Sequence, residues 1–418
     1  MYQFVLAGMN RLRANRSLAS SPTGQLVWLL GLLSLVMCSA KNLRAEFGDV
    51  LLEIDSRGPS VAISENYVLV GSPFRRVVSV YDLDSGSFVR DLKLDDDPAR
   101  IGERVVIDGT VALVGARNYG DAYLFDVESG KLLHKLVPDD PRAGQNFGQT
   151  LAIDNGIALV GAPRDDELQD LGGAVYVFDV ETGIQMDKLV PDVESPRAGL
   201  IPLFGSAIAF EDGIAVISEA NSEVTADQFA VGGSYVFDIA AGRQLQKLTN
   251  PELPSSPDFF GGSVDIDSGR MIVGIGGADD ACPGSVPSCL SGAAIILDME
   301  SGEVTQRLTI EDGQSFDHFG AFSVLDGDVA IVGGFNGAEH AYFFDVSTGN
   351  ELMRLPSPGV FAASDGKAVV VGRSTQVIDI ASVPEPSSLA SLAVATLAAI
   401  WFGRQLGRRN DRFFQNHE

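Results

Sequence analysis

At 418 residues, 45% hydrophobic and 21% charged, the chain is too long for one simple core and too apolar for disorder. Its formal charge of −26 argues against nucleic acid and anionic lipid as partners of its surface. The acids fall almost entirely within residues 46–386, with only Asp411 and Glu418 outside, whereas basic residues gather at both termini.

In chain order, Arg11, Arg13 and Arg16 precede the apolar run 26–40, LVWLLGLLSLVMCSA, with no acid before it. A basic stretch, an apolar run of about 15 residues and small residues at the cut predict a secretory signal over 1–45, cleaved after Ala40 or Ala45.

The middle, 46–382, repeats one phrase seven times. It reads FGQTLAIDNGIALVGAP at 147–163, FGSAIAFEDGIAVISEA at 204–220, FGGSVDIDSGRMIVGIG at 260–276 and FGAFSVLDGDVAIVGGF at 319–335. Copies without the Phe are GPSVAISENYVLVGSP at 58–73 and GERVVIDGTVALVGAR at 102–117, and a last one is GVFAASDGKAVVVGRS at 359–374. A second phrase follows each of the first six copies, as in YLFDVESGKLLHKL at 123–136 and YVFDVETGIQMDKL at 176–189. Each unit holds four short β-branched or alternating runs punctuated by Gly, Asp and Asn, the pattern of strand–turn–strand. The Asp-Asn-Gly and Asp-Gly steps predict hairpins, and the Asp-x-x-x-Gly step predicts a turn closed by a Gly at positive φ.

Four strands in units of about 48 residues predict an all-β, seven-bladed β-propeller, in which neighbouring blades bury each other's faces. The seventh copy lacks its last strand. The run 48–54, GDVLLEI, is the spare that would complete that blade and close the ring.

The FG…VGAP…YVFD wording resembles the FG-GAP repeat of integrin α-chain heads and of many bacterial surface proteins. The resemblance implies the propeller and leaves the function open. It also implies that loops after the VGAP strand can hold calcium, for which Asp165, Asp166, Glu167 and Asp170 are the counterparts here, although the alternating pattern with a central Gly is missing. Quinoprotein repeats share a similar Tyr-x-Phe-Asp phrase but end in a docking Trp. The two tryptophans, Trp28 and Trp401, lie outside 46–382. No organic cofactor is expected.

Cys282 and Cys289 flank the segment 283–288. In an exported protein they are expected to form a local disulfide, and with no His in that loop two thiolates make a poor metal site.

Residues 383–418 carry three parts in a fixed order. Val383, Pro384, Glu385 and Pro386 open a VPEPSS element, an apolar run follows over 389–403, and Arg404, Arg408 and Arg409 end it. This order closely resembles the PEP-CTERM sorting signal of Gram-negative bacteria, which implies processing by an exosortase-type enzyme. The apolar segment is expected to form a helix in the membrane and to leave the propeller outside.

The body's histidines, His134, His318 and His340, have no metal-like partner nearby in sequence, and no nucleophile elbow marks a Ser. The expectation is therefore an exported, non-catalytic binding module at the cell surface or in the extracellular matrix. Its ligand would be a surface protein or an exopolysaccharide, contacted through loops such as 191–203, 251–258 and 283–288. The alternative is a secreted polysaccharide hydrolase or lyase with an acidic propeller pocket, its carboxylates converging at one end of the channel with raised pKa.

Overall fold

The short apolar runs form strands because their Val, Ile, Leu and Ala side chains alternate between two blade faces while Asp-Gly and Asn-Gly steps reverse the chain. The computed structural model describes residues 47–95, 99–116, 120–142, 144–166, 172–192, 203–223, 231–250, 259–278, 290–335, 340–356, 361–364, 366–371 and 374–381. Within them lie seven four-stranded antiparallel sheets, and no helix is long and apolar enough to cross a membrane. Six blades are sequential: 60–92, 104–136, 150–189, 204–248, 260–308 and 322–356. First strands touch in the cyclic order of the blades, the seventh against the first, so the ring closes around an axis lined by first strands.

The seventh blade is completed from the other end of the chain. Phe361–Ser364, Lys367–Val371 and Thr375–Asp379 are joined by Val50–Ile54 as the outermost strand. Its register pairs Leu52 with Val377, Glu53 with Gln376 and Ile54 with Thr375. The Gly48 amide donates to the Asp379 carbonyl at 2.8 Å, extending the junction past the strand's start. The spare strand read at 48–54 thus lies where the sequence predicts, with its first two residues in the entering turn.

There is no single central core. Seven hydrophobic clusters form, each between two neighbouring blades, as expected where a sheet buries both faces only by stacking radially. The motif's parts have separate jobs in these interfaces. In three of the four FG copies the Phe packs edge-on against the aromatic residues of its own third strand: Phe147 on Tyr176 and Phe178, Phe204 on Tyr235 and Phe237, Phe319 on Tyr342 and Phe344. Phe260 packs instead with the aliphatic Ile275, Ala293 and Ile295. In blade two the buried Ile101 stands before the Gly instead.

The two glycines of the motif let adjacent blades approach. A Cβ on Gly115 would lie 2.3 Å from the carbonyl oxygen of Gly148 in the next blade, and one on Gly274 would lie 1.7 Å from that of Gly320. No side chain fits between them.

The turns follow the sequence reading. Asn155 and Gly156 both take positive φ in the hairpin after Thr150–Asp154. In the Asp-x-x-x-Gly turns the carboxylate caps the chain: Asp179 accepts from the Thr182 hydroxyl at 2.6 Å and from its amide at 2.8 Å, and Gly183 closes the turn at φ 69°. The Thr182 hydroxyl and amide hold the Asp179 carboxyl below its ordinary value. A bulge between the third and fourth strands recurs in blades one to six, at one position per blade, a feature without a sequence signature.

Candidate functional site

The axis ends in two chemically different faces. Each first strand begins within two residues of its FG-type glycine and runs to the Asp- or Glu-containing hairpin. One face therefore collects the inter-blade connections and the loops after second strands, and the other collects the acidic hairpins.

On the first face opens a cavity of about 900 Å³. Its ring is set by the second residue after the FG-type glycine, which contributes Ser60, Arg104, Thr150, Ala207, Ser263, Phe322 and Phe361, one from each blade. The ring is uneven. Hydroxyls stand on blades one, three and five, with Ser206 beside Ala207 in blade four. Aromatic rings stand on blades six and seven, and Arg104 is the one cation among the seven. Phe335 stacks edge-on against Phe322 at 5.0 Å and against His318 at 6.3 Å, and half of Phe335 remains exposed. Phe259 and Phe316 add exposed rings beside them. His318 is fixed through Nδ1 to the Gly276 carbonyl at 2.9 Å. Among the described residues the lining contains no carboxylate, so the acidic pocket of the hydrolase expectation is not found in this cavity.

The carboxylates lie at the other end and join neighbouring blades. Asp154 accepts from the Asp212 amide at 2.8 Å, Glu211 from Ser268 at 2.9 Å, Asp267 from Gly327 at 3.0 Å and Asp326 from Gly366 at 2.9 Å. Each link runs from one blade's first hairpin to the next blade's. One strand turn inward, Asp265 accepts from the Leu325 amide at 2.8 Å. Burial pushes Asp265 up to about 7, with Asp267 and Glu211 adding repulsion, and burial also raises Glu211 against the Ser268 hydrogen bond.

This gives a pH prediction with a definite sign. In the unfolded chain Asp265 titrates near its ordinary 3.8, whereas the folded protein retains the proton to about 7. Folding therefore binds the extra proton between these values, and stability falls as pH rises from about 4 to about 7. Asp265→Asn keeps an acceptor for the Leu325 amide without a charge. It should stabilise the protein by on the order of 2 kcal/mol at pH 8 and leave it unchanged at pH 3, read by urea unfolding at both values.

The calcium candidates divide between different partners. Asp165 is buried and accepts from the Tyr176 hydroxyl at 2.8 Å, while the Lys188 ammonium lies 3.3 Å away and reaches Asp140 at 2.6 Å. Burial and the neighbouring carboxylates raise the Tyr176 hydroxyl well above its ordinary value. Asp166 turns to Arg142 at 2.6 Å, and that bond holds its carboxyl low. The same Tyr–acid–cation grouping recurs as Tyr123, Asp121 and Lys135, and as Tyr235, Glu219 and Lys247. It ties the third-strand Tyr and the fourth-strand Lys to an acid that sits in the loop after the second strand (Asp165), at the start of the third strand (Asp121) or within the second strand (Glu219). Among the described residues no group of three or more metal-type ligands forms.

Other sequence-stated sites fall as follows. His134 lies on an outer strand and contacts the Glu181 carbonyl of the next blade at 2.9 Å. His340 begins the third strand of blade six, its ring 5.9 Å from Tyr342. Glu167, Asp170, Cys282, Cys289 and the sorting element Val383, Pro384, Glu385 and Pro386 lie outside the described residues, as do most of 191–203 and all of 251–258. Phe259, Phe316 and Phe335 were not singled out by sequence. Their signal was available, since each is an aromatic residue in a connection rather than in a strand.

The FG-GAP repeat family matches residues 131–178, the end of blade two through the third strand of blade three. No curated protein matches the sequence. Among solved structures, the chain is similar to the computationally designed Ika8 protein, at 16% identity and a TM-score of 0.51, over 80% of this chain and 100% of that one. It is also similar to a chain of a mitotic checkpoint complex, at 15% identity and a TM-score of 0.52, over 81% of this chain and 93% of that one. At such identities the likeness concerns the fold alone.

Proposed function

We propose that this protein is an exported, non-catalytic binding module that holds a polysaccharide at the mouth of its central cavity. The observation that carries this reading is the uneven ring: exposed Phe259 and Phe335 line the cavity with Phe322 and Phe361 and share it with Ser60, Thr150 and Ser263, and exposed Phe316 flanks its His318. Flat aromatic faces suit sugar rings, and the hydroxyls of Thr150 and Ser263, which donate to the Gly205 and Gly320 carbonyls at 2.6 and 2.9 Å, keep acceptor lone pairs for sugar hydroxyls. The FG-GAP match and the closed propeller support an interaction module. In this reading the secretory signal expected at 1–45 and the sorting signal expected at 383–418 would leave the ring outside the membrane. An exosortase-type enzyme would process the tail.

A polysaccharide hydrolase or lyase is the second reading, and the raised Asp265 carboxyl near Glu211 is the observation that favours it. Both groups, however, are engaged with backbone amides that join blades. Turnover of a glycan panel, abolished by Asp265→Asn, would establish that reading over the first.

The binding reading is tested with the full chain against the host's own exopolysaccharide. Phe335→Ala combined with Phe361→Ala should weaken binding at least tenfold, the effect of losing an aromatic hot spot worth about 2 kcal/mol. Unchanged affinity would remove the cavity mouth as the contact.

A further inference from the structure

The body is strongly acidic, yet four arginines gather on the cavity face, two in the loop after blade one's second strand and two at the entry to blade two. Arg75 and Arg76 follow the second strand of blade one, and Arg100 and Arg104 lead into blade two, all four exposed. Between these loops is a recess of about 270 Å³ lined by Pro73, Phe74, Arg100, Glu103, Arg104 and Gln149. It shares Arg104 with the central cavity, so the two form one continuous surface. Phe74 stands 90% exposed, a large apolar ring held out in solvent at the tip of a loop beside two guanidiniums. Among the described residues the acids nearby are Glu103 in the lining, Asp91, which lies 3.6 Å from Arg75, and exposed Asp95, while Asp96 and Asp97 lie outside the described residues.

We propose that this recess is a subsite for the carboxylate of an acidic polysaccharide whose chain continues into the aromatic mouth. The inference rests on the binding reading above and specifies its ligand class. A guanidinium matches a carboxylate with two parallel hydrogen bonds, and exposed Arg100 supplies such a fork in the wall of the recess. Phe74 supplies the flat face on which the sugar carrying that carboxylate would rest, and the Gln149 amide supplies both a donor and an acceptor for ring hydroxyls. An acidic peptide would satisfy the arginines equally, but it would leave the hydroxyl ring and the exposed Phe faces without a matching partner.

The test measures binding of the full chain to polygalacturonate and alginate, with methyl-esterified polygalacturonate and poly-L-glutamate alongside. Binding of a carboxylated glycan that weakens with salt, falls about tenfold or more in Arg100→Ala and in Phe74→Ala, and is lost on methyl esterification supports the subsite. Esterified and free chains bound equally, with Phe335→Ala weakening both and Arg100→Ala neither, overturns the subsite while the cavity reading stands. Loss in Arg100→Ala but not in Phe335→Ala overturns the proposal as stated, because it keeps the arginine recess as a carboxylate contact while removing the cavity mouth into which the chain would continue. Poly-L-glutamate bound as tightly as the glycans, or no binding of either glycan, overturns the proposal.

Discussion

Gly274→Ala should destabilise the protein by about 3 kcal/mol, an effect out of proportion to one added methyl group. The new Cβ would meet the Gly320 carbonyl oxygen at 1.7 Å, and because both sides are backbone no side chain can swing away. The two blades would have to separate, opening the cluster that joins Ile272, Ala294 and Ile296 to Phe319 and Val332. Gly269→Ala is the matched control. That glycine takes φ +78° but has nothing within 4 Å of a built Cβ, so only the cost of the left-handed backbone remains, about 1 kcal/mol. Denaturant midpoints at constant slope would read both. Equal effects would mean that the inter-blade glycine contact does not limit how closely the blades pack.

Ile54→Asp should cost about 4 kcal/mol and also change how the protein unfolds. Ile54 is 2% exposed and packs with Val61, Val68, Val70, Val369, Val371 and Val377, between the last blade and the first. A carboxylate there has no partner among those apolar side chains, so it would pull the N-terminal strand off the sheet. Thr375–Asp379 would then become an unpaired edge. Besides the lower midpoint, concentration-dependent association is expected as that edge finds strands on other molecules. Val50→Asp, on the same strand but 51% exposed, should change stability by no more than about 0.5 kcal/mol. If both variants behave alike, the N-terminal strand does not close the ring.

Much of this architecture can be read from the repeated phrase. The FG and VG glycines, the Tyr-x-Phe-Asp strand and the Asp-x-x-x-Gly turn each occupy one structural position, and the missing last strand of copy seven points directly at GDVLLEI. What the phrase does not reveal depends on neighbours remote in sequence. Lys188 meets Asp165 and Asp140 only because a fourth strand folds back past two loops, so the acidic cluster that suggests calcium is already paired in part with cations. Glu211 and Ser268 are partners because each blade repeats the last one displaced around the axis. The same displacement assembles the cavity ring from single residues spread between Ser60 and Phe361, which no local motif groups together. Phe74 and Arg100 likewise meet only across a blade boundary.

The reading of this molecule as a binding module comes down to which face is the contact. Hydrogen–deuterium exchange of the full chain with and without saturating exopolysaccharide tests that most directly. Protection is predicted in 73–76, 99–104, 259–263, 316–323 and around Phe335, the segments that frame the cavity and its arginine recess. Protection confined instead to the acidic hairpins at 154–156, 211–213, 267–269 and 326–328 would contradict the account and place the ligand on the opposite face.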